Sequence, residues 1–316
     1  MKFVHQTVLL EETVRYLHVR PGRIYVDGTL GGGGHAERIL SSAPNVLLVG
    51  IDKDPHALAA AAQRLSSRQD QVVLIHSDFA AMKDVLAARG IRKVAGIVLD
   101  LGVSSPQFDA AERGFSYQHA AVLDMRMNPQ SQLTAEMLVN ELSEAELARI
   151  IREYGEERWA VRIAAFIVKA RAKTRITTTT QLVDVIKQAI PAAARRQGPH
   201  PARRTFQALR IAVNDELGSL RKGLEAAVEL LEAAGRIAVI SFHSLEDGIV
   251  KRFFQQEQDP CICPKHLPCV CHKQARLKVI TPKGIRATPE EVERNPRSRS
   301  ATLRVAERVL TMKEDA

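Results

Sequence analysis

The chain lacks two features that would place it outside the cytoplasm. All four cysteines of its 316 residues fall between positions 261 and 271, so no disulfide framework is distributed over a secreted fold. No segment approaches the ~18 apolar residues of a membrane span. The N-terminus also carries Glu11 and Glu12 where a signal peptide would be apolar. We therefore expect a cytoplasmic protein with no membrane partner.

The chain has fewer acidic residues than basic ones. Lys and Arg number 45 against 36 Asp and Glu, which gives a formal net charge of +9. Such a surplus favours a polyanionic partner, although many basic soluble proteins have none. We expect phosphate contacts from at least one of two clusters, of which the first is interrupted by prolines and predicted to be a loop. The clusters are Arg195, Arg196, Arg203 and Arg204, and Arg294, Arg297 and Arg299.

Short β-branched runs alternate with helical patterns over the first hundred residues, and this rhythm predicts a parallel sheet covered on both faces. From about 108 to 230 only helical periodicity is found. We expect an α/β domain formed by 1–107 and 216–316, interrupted by a helical insertion at 108–215 that recognises the substrate. The predicted strands are Ile24–Val26, Val46–Ile51, Val72–Ile75, Ala95–Leu99, Ile237–Ile240 and Ala301–Ala306.

A glycine-rich loop follows the first predicted strand and precedes a helix. Its glycines let the backbone approach a ligand closely, and Gly31, Gly33 and Ala36 also satisfy the dinucleotide pattern G-x-G-x-x-A. Asp27, at the end of the strand, would repel a pyrophosphate. It would suit a ligand with a positive amino group, such as S-adenosylmethionine, and this argues against a nicotinamide oxidoreductase.

Polar side chains end the next strands as well. Asp52 follows the second strand, where a carboxylate can accept both ribose hydroxyl protons. Ser77, Asp78 and Phe79 follow the third, where they could hydrogen-bond and stack on adenine. Each alone is equally a surface acid or a core phenylalanine, but together they favour a nucleoside site.

Asp100 ends the fourth strand and is followed by a turn with Ser104 and Ser105. Methylation of a base amine needs positioning and an acceptor for its N–H, whereas methylation at carbon 5 of a pyrimidine needs a thiolate. The absence of cysteine near any strand end argues against the second chemistry. We take Asp100 as the first candidate to contact the amine or the methionine moiety. Ser104, Ser105 and His243 are secondary, and His243 could equally be a structural turn residue.

Several longer motifs run nearly the whole length of the chain. They are DGTLGGGGHA, GIDKDP, LDLGVSSPQFD, RGFSY, LDMRM, YGEERWA, RTFQALRI, SFHSLED and NPRSRSATLR. In these the sequence resembles the bacterial ribosomal RNA small subunit methyltransferase H family.

The resemblance implies a Rossmann-like S-adenosylmethionine-dependent methyltransferase sheet with an inserted all-helical domain. It also implies N4-methylation of a cytidine in the decoding region of 16S ribosomal RNA, within the small ribosomal subunit or its precursor. The cofactor-binding positions carried over by motif are Gly33, Gly34, His35, Asp52, Phe79, Asp100 and Gln107. The Asp-Pro-Pro-Tyr motif of DNA amino-methyltransferases is missing, so that family's base-stacking mechanism is not carried over.

The cysteine cluster could hold a structural zinc ion, with His266 and His272 close by. The C-x-C spacing is tighter than the usual C-x-x-C, and an exposed loop with incidental cysteines is the alternative. The candidate ligands are Cys261, Cys263, Cys269 and Cys271.

Alternatives to the family's reaction are methylation of another RNA base, or a non-enzymatic role in ribosome assembly. A homodimer is also left open.

Overall fold

The structure is a computed structural model that describes residues 7–196, 198–264, 266 and 268–309, without the side chains of residues 105 and 106. Within these residues one sheet is built from eight strands. They are β1 Ile24–Asp27, β2 Leu47–Asp52, β3 Val72–His76, β4 Val94–Asp100, β5 Leu231–Ser241, β6 Leu277–Val279, β7 Ile285–Arg286 and β8 Thr302–Arg308.

Fourteen α-helices are found in the same described residues. They are α1 Leu10–Leu17, α2 Gly34–Leu40, α3 Pro55–Arg64, α4 Met82–Ala87, α5 Ser105–Asp109, α6 Ala135–Glu141, α7 Glu144–Gly155, α8 Ala160–Arg171, α9 Thr179–Ala189, α10 Ala192–Arg195, α11 Arg203–Asn214, α12 Glu216–Leu230, α13 Ser244–Gln258 and α14 Pro289–Arg294. None of the described helices has the length and apolar character needed to cross a membrane.

The strand order is β3-β2-β1-β4-β5-β8-β6, with β7 paired to β8. The first five strands are parallel, and β8 runs antiparallel between β5 and β6. The direction of chain progression reverses between β1 and β4, which is the point where open α/β sheets bind ligands. This topology confirms the predicted Rossmann-like sheet.

The buried strands explain why the sheet forms. Every residue of β4 except its last, Asp100, is buried, as expected of a parallel strand covered on both faces. In the strand pairing, Asp27 lies opposite Val98 of β4 and Gly50 of β2, while Asp52 lies opposite His76 of β3. The carboxyl ends of β1, β2 and β4 therefore share one edge of the sheet, and each ends in an aspartate.

Contacts divide the chain into two compact units: Met1–Gly102 with Leu217–Ala316, and Val103–Glu216. The first contains the sheet. The described part of the second has no strand, only helices and one isolated bridge between Val122 and Thr178, so the expected all-helical insertion is confirmed. Its role in substrate recognition stays a prediction.

The helical unit has its own core, which includes Phe115, Leu147, Ile163 and Phe206. Reciprocal side-chain caps begin two of its helices, and the cap of α9 is formed by Thr178 with Gln181.

The Thr178 hydroxyl accepts the Gln181 amide at 3.3 Å in the cap of α9. One local expectation for this unit was wrong. Arg203 and Arg204 were expected in a loop, but they form the first turn of α11, because the proline-containing segment ends before them.

Candidate functional site

Two aspartates meet at the switch point of the sheet. Asp27 ends β1 and is 1% exposed, and Asp100 ends the neighbouring β4. The Asp100 amide donates to Thr29 Oγ1 at 2.5 Å, and the Thr29 amide donates to Asp27 Oδ1 at 3.2 Å. Thr29 thus ties the two strand ends together, with both carboxyl groups in one small region.

Asp100 offers an acceptor that no described residue uses. Its side chain is 25% exposed, yet Oδ1 is buried and has no hydrogen-bond partner among the described residues. Oδ2 lies 3.8 Å from Nδ1 of the buried His35. Burial, followed by repulsion from Asp27 and Glu246, holds the pKa of Asp100 well above its usual value.

The pKa of Asp27 is raised as well. Burial raises its pKa to about 7, against the hydrogen bond from the Thr29 amide and with a contribution from the charge of Asp52. A neighbouring cation reduces the electrostatic repulsion between buried carboxylates. The pair therefore suits a ligand with a positive group, and the structure fits the sulfonium and ammonium groups of S-adenosylmethionine.

The glycine loop is open beside these acids. Gly31 and Gly33 have φ of +50° and +77°, a region in which side chains are strained. No described atom lies within 4 Å of where a Cβ on Gly32 would stand, so the loop borders free space that a ligand could fill. Gly31 and Gly33 thus adopt backbone conformations that favour glycine, as expected of a loop whose backbone approaches a ligand closely.

Asp52 is held firmly at the adjoining strand end. The Gly31 amide donates to Oδ2 and the Asp54 amide donates to Oδ1, each at 2.8 Å. Burial raises the pKa of Asp52 despite these two hydrogen bonds. A carboxylate oxygen can accept more than one hydrogen bond, so the side chain is oriented and can still receive ribose hydroxyls.

Gly34 has a packing reason to be glycine. A Cβ at Gly34 would collide with Thr7 Oγ1, because residue 7 lies directly against the start of α2. The motif assigned this glycine to the cofactor, but its local geometry also meets a purely structural requirement.

Phe79 lies between two glycines, and its neighbour Asp78 is already engaged. A Cβ on Gly28 would stand 3.2 Å from Phe79 Cβ, and one on Gly223 of α12 would stand 2.6 Å from Cε2 of the ring. Asp78 caps the following turn through Ala80 N at 2.8 Å and accepts from Ser219 Oγ at 3.0 Å. The loop after β3 is thereby fixed against α12, which positions the Phe79 ring.

His243 has a structural task. It precedes α13, where its Nδ1 accepts from the Glu246 amide at 3.4 Å while the Phe242 amide donates to Glu246 Oε2 at 2.8 Å. The structural alternative for His243 is thus realised, and its catalytic role stays untested.

The remaining predicted residues lie in the helical unit. The Ser104 amide donates to Gln107 Oε1 at 3.1 Å, and the Gln107 amide donates to Ser104 Oγ at 3.4 Å. Ser105 begins α5, but its side chain lies outside the described residues. Their roles toward a ligand stay predictions.

Sequence reasoning missed three residues of this region. Thr29 anchors Asp100, Glu246 adds negative charge beside it, and Gly223 makes room for Phe79. Thr29 and Glu246 lie within the quoted motifs DGTLGGGGHA and SFHSLED, so motif membership could have indicated them. Gly223 lies in no such motif, and only packing identifies it.

The four cysteines occupy the segment between α13 and β6, and all are free thiols. None of them belongs to the strand-end site described above.

Known proteins match the chain along nearly its whole length. The sequence model of the MraW methylase family matches residues 2–309. A protein of Symbiobacterium thermophilum named ribosomal RNA small subunit methyltransferase H is 57% identical over 306 residues, covering 96% of each chain. Proteins of the same name from Heliobacterium mobile and Geotalea uraniireducens are 55% and 57% identical, covering 98% and 97% of this chain and 100% and 99% of theirs.

Proposed function

Because the chain belongs to the MraW methylase family, we propose that it transfers a methyl group from S-adenosylmethionine to small-subunit ribosomal RNA. The relatives' shared name supports the RNA substrate. The finer proposal, N4 of a cytidine in the decoding region of 16S RNA, rests on the motif resemblance.

The observation that carries the proposal is the carboxyl pair at the switch point. Asp100 keeps a buried oxygen without a described partner, and Asp27 beside it has a pKa of about 7. A cationic ligand would lower both pKa values by direct attraction. The same ligand would thereby favour the carboxylate form of Asp100.

The glycine loop and the next two strand ends supply the rest of the cofactor site. Gly31 to Gly33 would face the ligand with backbone, Asp52 would accept the ribose hydroxyls, and Phe79 would contact adenine. S-adenosylmethionine supplies an electrophilic methyl group there.

Asp100 would act on the accepting base. The lone pair of the cytosine amine is delocalised into the ring, so a hydrogen bond from its N–H to a carboxylate raises its nucleophilic character. The carboxylate of Asp100 would accept that hydrogen bond and then the proton that the methylated amine releases. Positioning of the amine in line with the methyl group supplies the remaining rate enhancement.

Phosphate contacts are proposed for the helical unit. Arg203 and Arg204 are exposed at the first turn of α11, and no ion pair is found for either among the described residues. Guanidinium groups of this kind bind RNA phosphates and set the position of the substrate without reading its sequence.

The experiment is methyl transfer from labelled S-adenosylmethionine to small ribosomal subunits that lack the modification, followed by nucleoside analysis. Wild-type protein should place the label in N4-methylcytidine. Asp100→Asn keeps the shape of the side chain but weakens the acceptor, and should lower the rate by about 10²–10³-fold. Asp70→Asn, at an exposed aspartate outside the site, is the matched control and should be unchanged.

Each outcome separates the hypotheses. Label in another nucleoside would keep the enzyme and refute the cytidine. Cofactor binding without transfer to any RNA would refute the substrate, and no binding at all would favour the assembly factor. Full activity of Asp100→Asn would refute the role given to that residue.

A further inference from the structure

The segment between α13 and β6 brings all the cysteines of the chain together. They form two C-x-C pairs separated by five residues. Three sulfurs make a nearly equilateral triangle, with Sγ–Sγ distances of 3.7 Å for Cys261 to Cys269, 3.7 Å for Cys269 to Cys271 and 3.9 Å for Cys271 to Cys261. All four sulfurs lie within 4.8 Å of one another.

These distances match the sulfur spacing of a tetrahedral metal site and exclude a disulfide. A zinc–sulfur bond of about 2.3 Å requires sulfurs about 3.8 Å apart at the corners of a tetrahedron. A disulfide would require about 2.05 Å. The observed triangle therefore has the dimensions of one face of a tetrahedral thiolate site, and Cys263 is within reach of the fourth corner.

The described residues of this segment form no hydrophobic core that could hold this arrangement. Every described side chain from 259 to 276 is exposed or only partly buried. Ile262 and Val270, which stand between the cysteines of each pair, are 72% and 75% exposed. Small loops that cannot bury apolar area are commonly stabilised by a disulfide or a metal ion. In a reducing compartment disulfides do not persist, so a metal ion is the remaining way to stabilise such a loop.

The ends of the segment are clamped. Arg276 Nε and Nη2 donate to the Glu257 carboxylate at 2.5 and 2.6 Å, and the Val279 amide donates to Gln258 Oε1 at 2.8 Å. Inside the loop the Val270 amide donates to Cys263 Sγ at 3.4 Å, which orients that sulfur. Closure of the loop and orientation of the sulfurs are thus built into the fold.

We propose that Cys261, Cys263, Cys269 and Cys271 bind one zinc ion as a closed site with four thiolate ligands. Four protein ligands leave no open position for substrate, so the ion is structural. Its role is to order the connection between α13 and β6. The two C-x-C pairs supply the ligands, and His266 and His272 are not needed.

The test begins with wild-type protein purified under reducing conditions without chelator or metal-affinity resin. Elemental analysis should find about one zinc per chain. Because the chain has no cysteine outside the cluster, thiol titration reports on this site alone. Four thiols should react only after the metal is removed, and cobalt substitution should give the thiolate-to-metal absorption of a tetrahedral site.

Variants define the ligands. Each Cys→Ser exchange should reduce bound zinc, while His266→Ala and His272→Asn should keep it. Asparagine suits position 272 because φ there is +51°. Circular dichroism and S-adenosylmethionine binding check that the Cys→Ser variants remain folded.

Two results would overturn the proposal. One is wild-type protein with four reactive thiols that takes up no added zinc under reducing conditions. The other is full zinc retention by the Cys→Ser variants, or its loss in either histidine variant.

Discussion

Cofactor binding should depend on pH through the buried carboxyl pair. Asp27 has a pKa of about 7 without ligand, because its burial disfavours the charged form. If the cation of S-adenosylmethionine requires the carboxylate, each binding event must release this proton at lower pH. Affinity should then fall by about one order of magnitude between pH 7 and pH 5.5, as expected for the loss of a single proton with that pKa.

Isothermal titration calorimetry measures both the affinity and the number of protons released on binding. Dissociation constants from pH 5.5 to 7 give the slope, and repeats in buffers of different ionisation enthalpy give the number of protons released. Asp27→Asn imitates the protonated side chain and should make the profile less steep, whereas the control Asp70→Asn should keep the wild-type slope. A pH-independent affinity with no proton release in wild-type protein would refute the reasoning.

The same raised pKa determines how the stability of the ligand-free protein changes with pH. A carboxyl group whose pKa is raised by folding stabilises the folded state fully below its unfolded pKa, near 3.8, and this contribution is lost as pH rises through about 7. Relative to Asp27→Asn, wild-type protein should therefore lose about 2–4 kcal/mol between pH 4 and pH 8. Denaturant unfolding of both proteins at several pH values measures this difference, and parallel profiles would contradict it.

Three further predictions concern packing, capping and RNA. Gly223→Ala should destabilise the protein by about 1–3 kcal/mol and weaken cofactor binding, because its Cβ would press on the Phe79 ring. Gly248→Ala in α13 should be neutral or stabilising in the same thermal melts, since its Cβ meets only the flexible end of a side chain. Thr178→Ala should cost about 1 kcal/mol by loss of the α9 cap, and equal cost at Thr180→Ala would refute the cap assignment. Arg203→Glu should weaken RNA binding and reduce its salt slope by about one, and unchanged filter binding across salt concentrations would exclude a phosphate contact.

Prediction of the sheet succeeded where sequence pattern and physics coincide. The strands β1 to β4 are almost continuously apolar, so each could be placed to within one or two residues. Burial explains this pattern for β1, β2 and β4, whereas β3 lies at the edge of the sheet and is partly exposed. The C-terminal edge was harder. β6 and β7 are three and two residues long and partly exposed, and such short strands have no periodicity to detect.

The positions of the helix ends depend on cap residues and on the local backbone conformation. Apolar residues recur at helical spacing across 134–152 and 206–232, yet each range contains two helices. The first breaks at Leu142, where Ser143 caps a new helix, and the second at Asp215, which adopts φ of +46°. A spacing of apolar residues near 3.6 does not by itself mark such breaks, which depend on the cap residue and on the backbone conformation at one position.

The sequence by itself determined the chemistry of the ends of β1, β2 and β4. Each aspartate follows an apolar run, and parallel strands bring their carboxyl ends to one edge of the sheet. Only the tertiary structure decided how those acids behave. The pKa shift of Asp100 arises from burial and from Asp27 and Glu246, which lie 73 and 146 positions away in sequence. The fit of Phe79 against Gly223 likewise depends on a distance that no local pattern encodes, because these residues meet only when distant segments pack together.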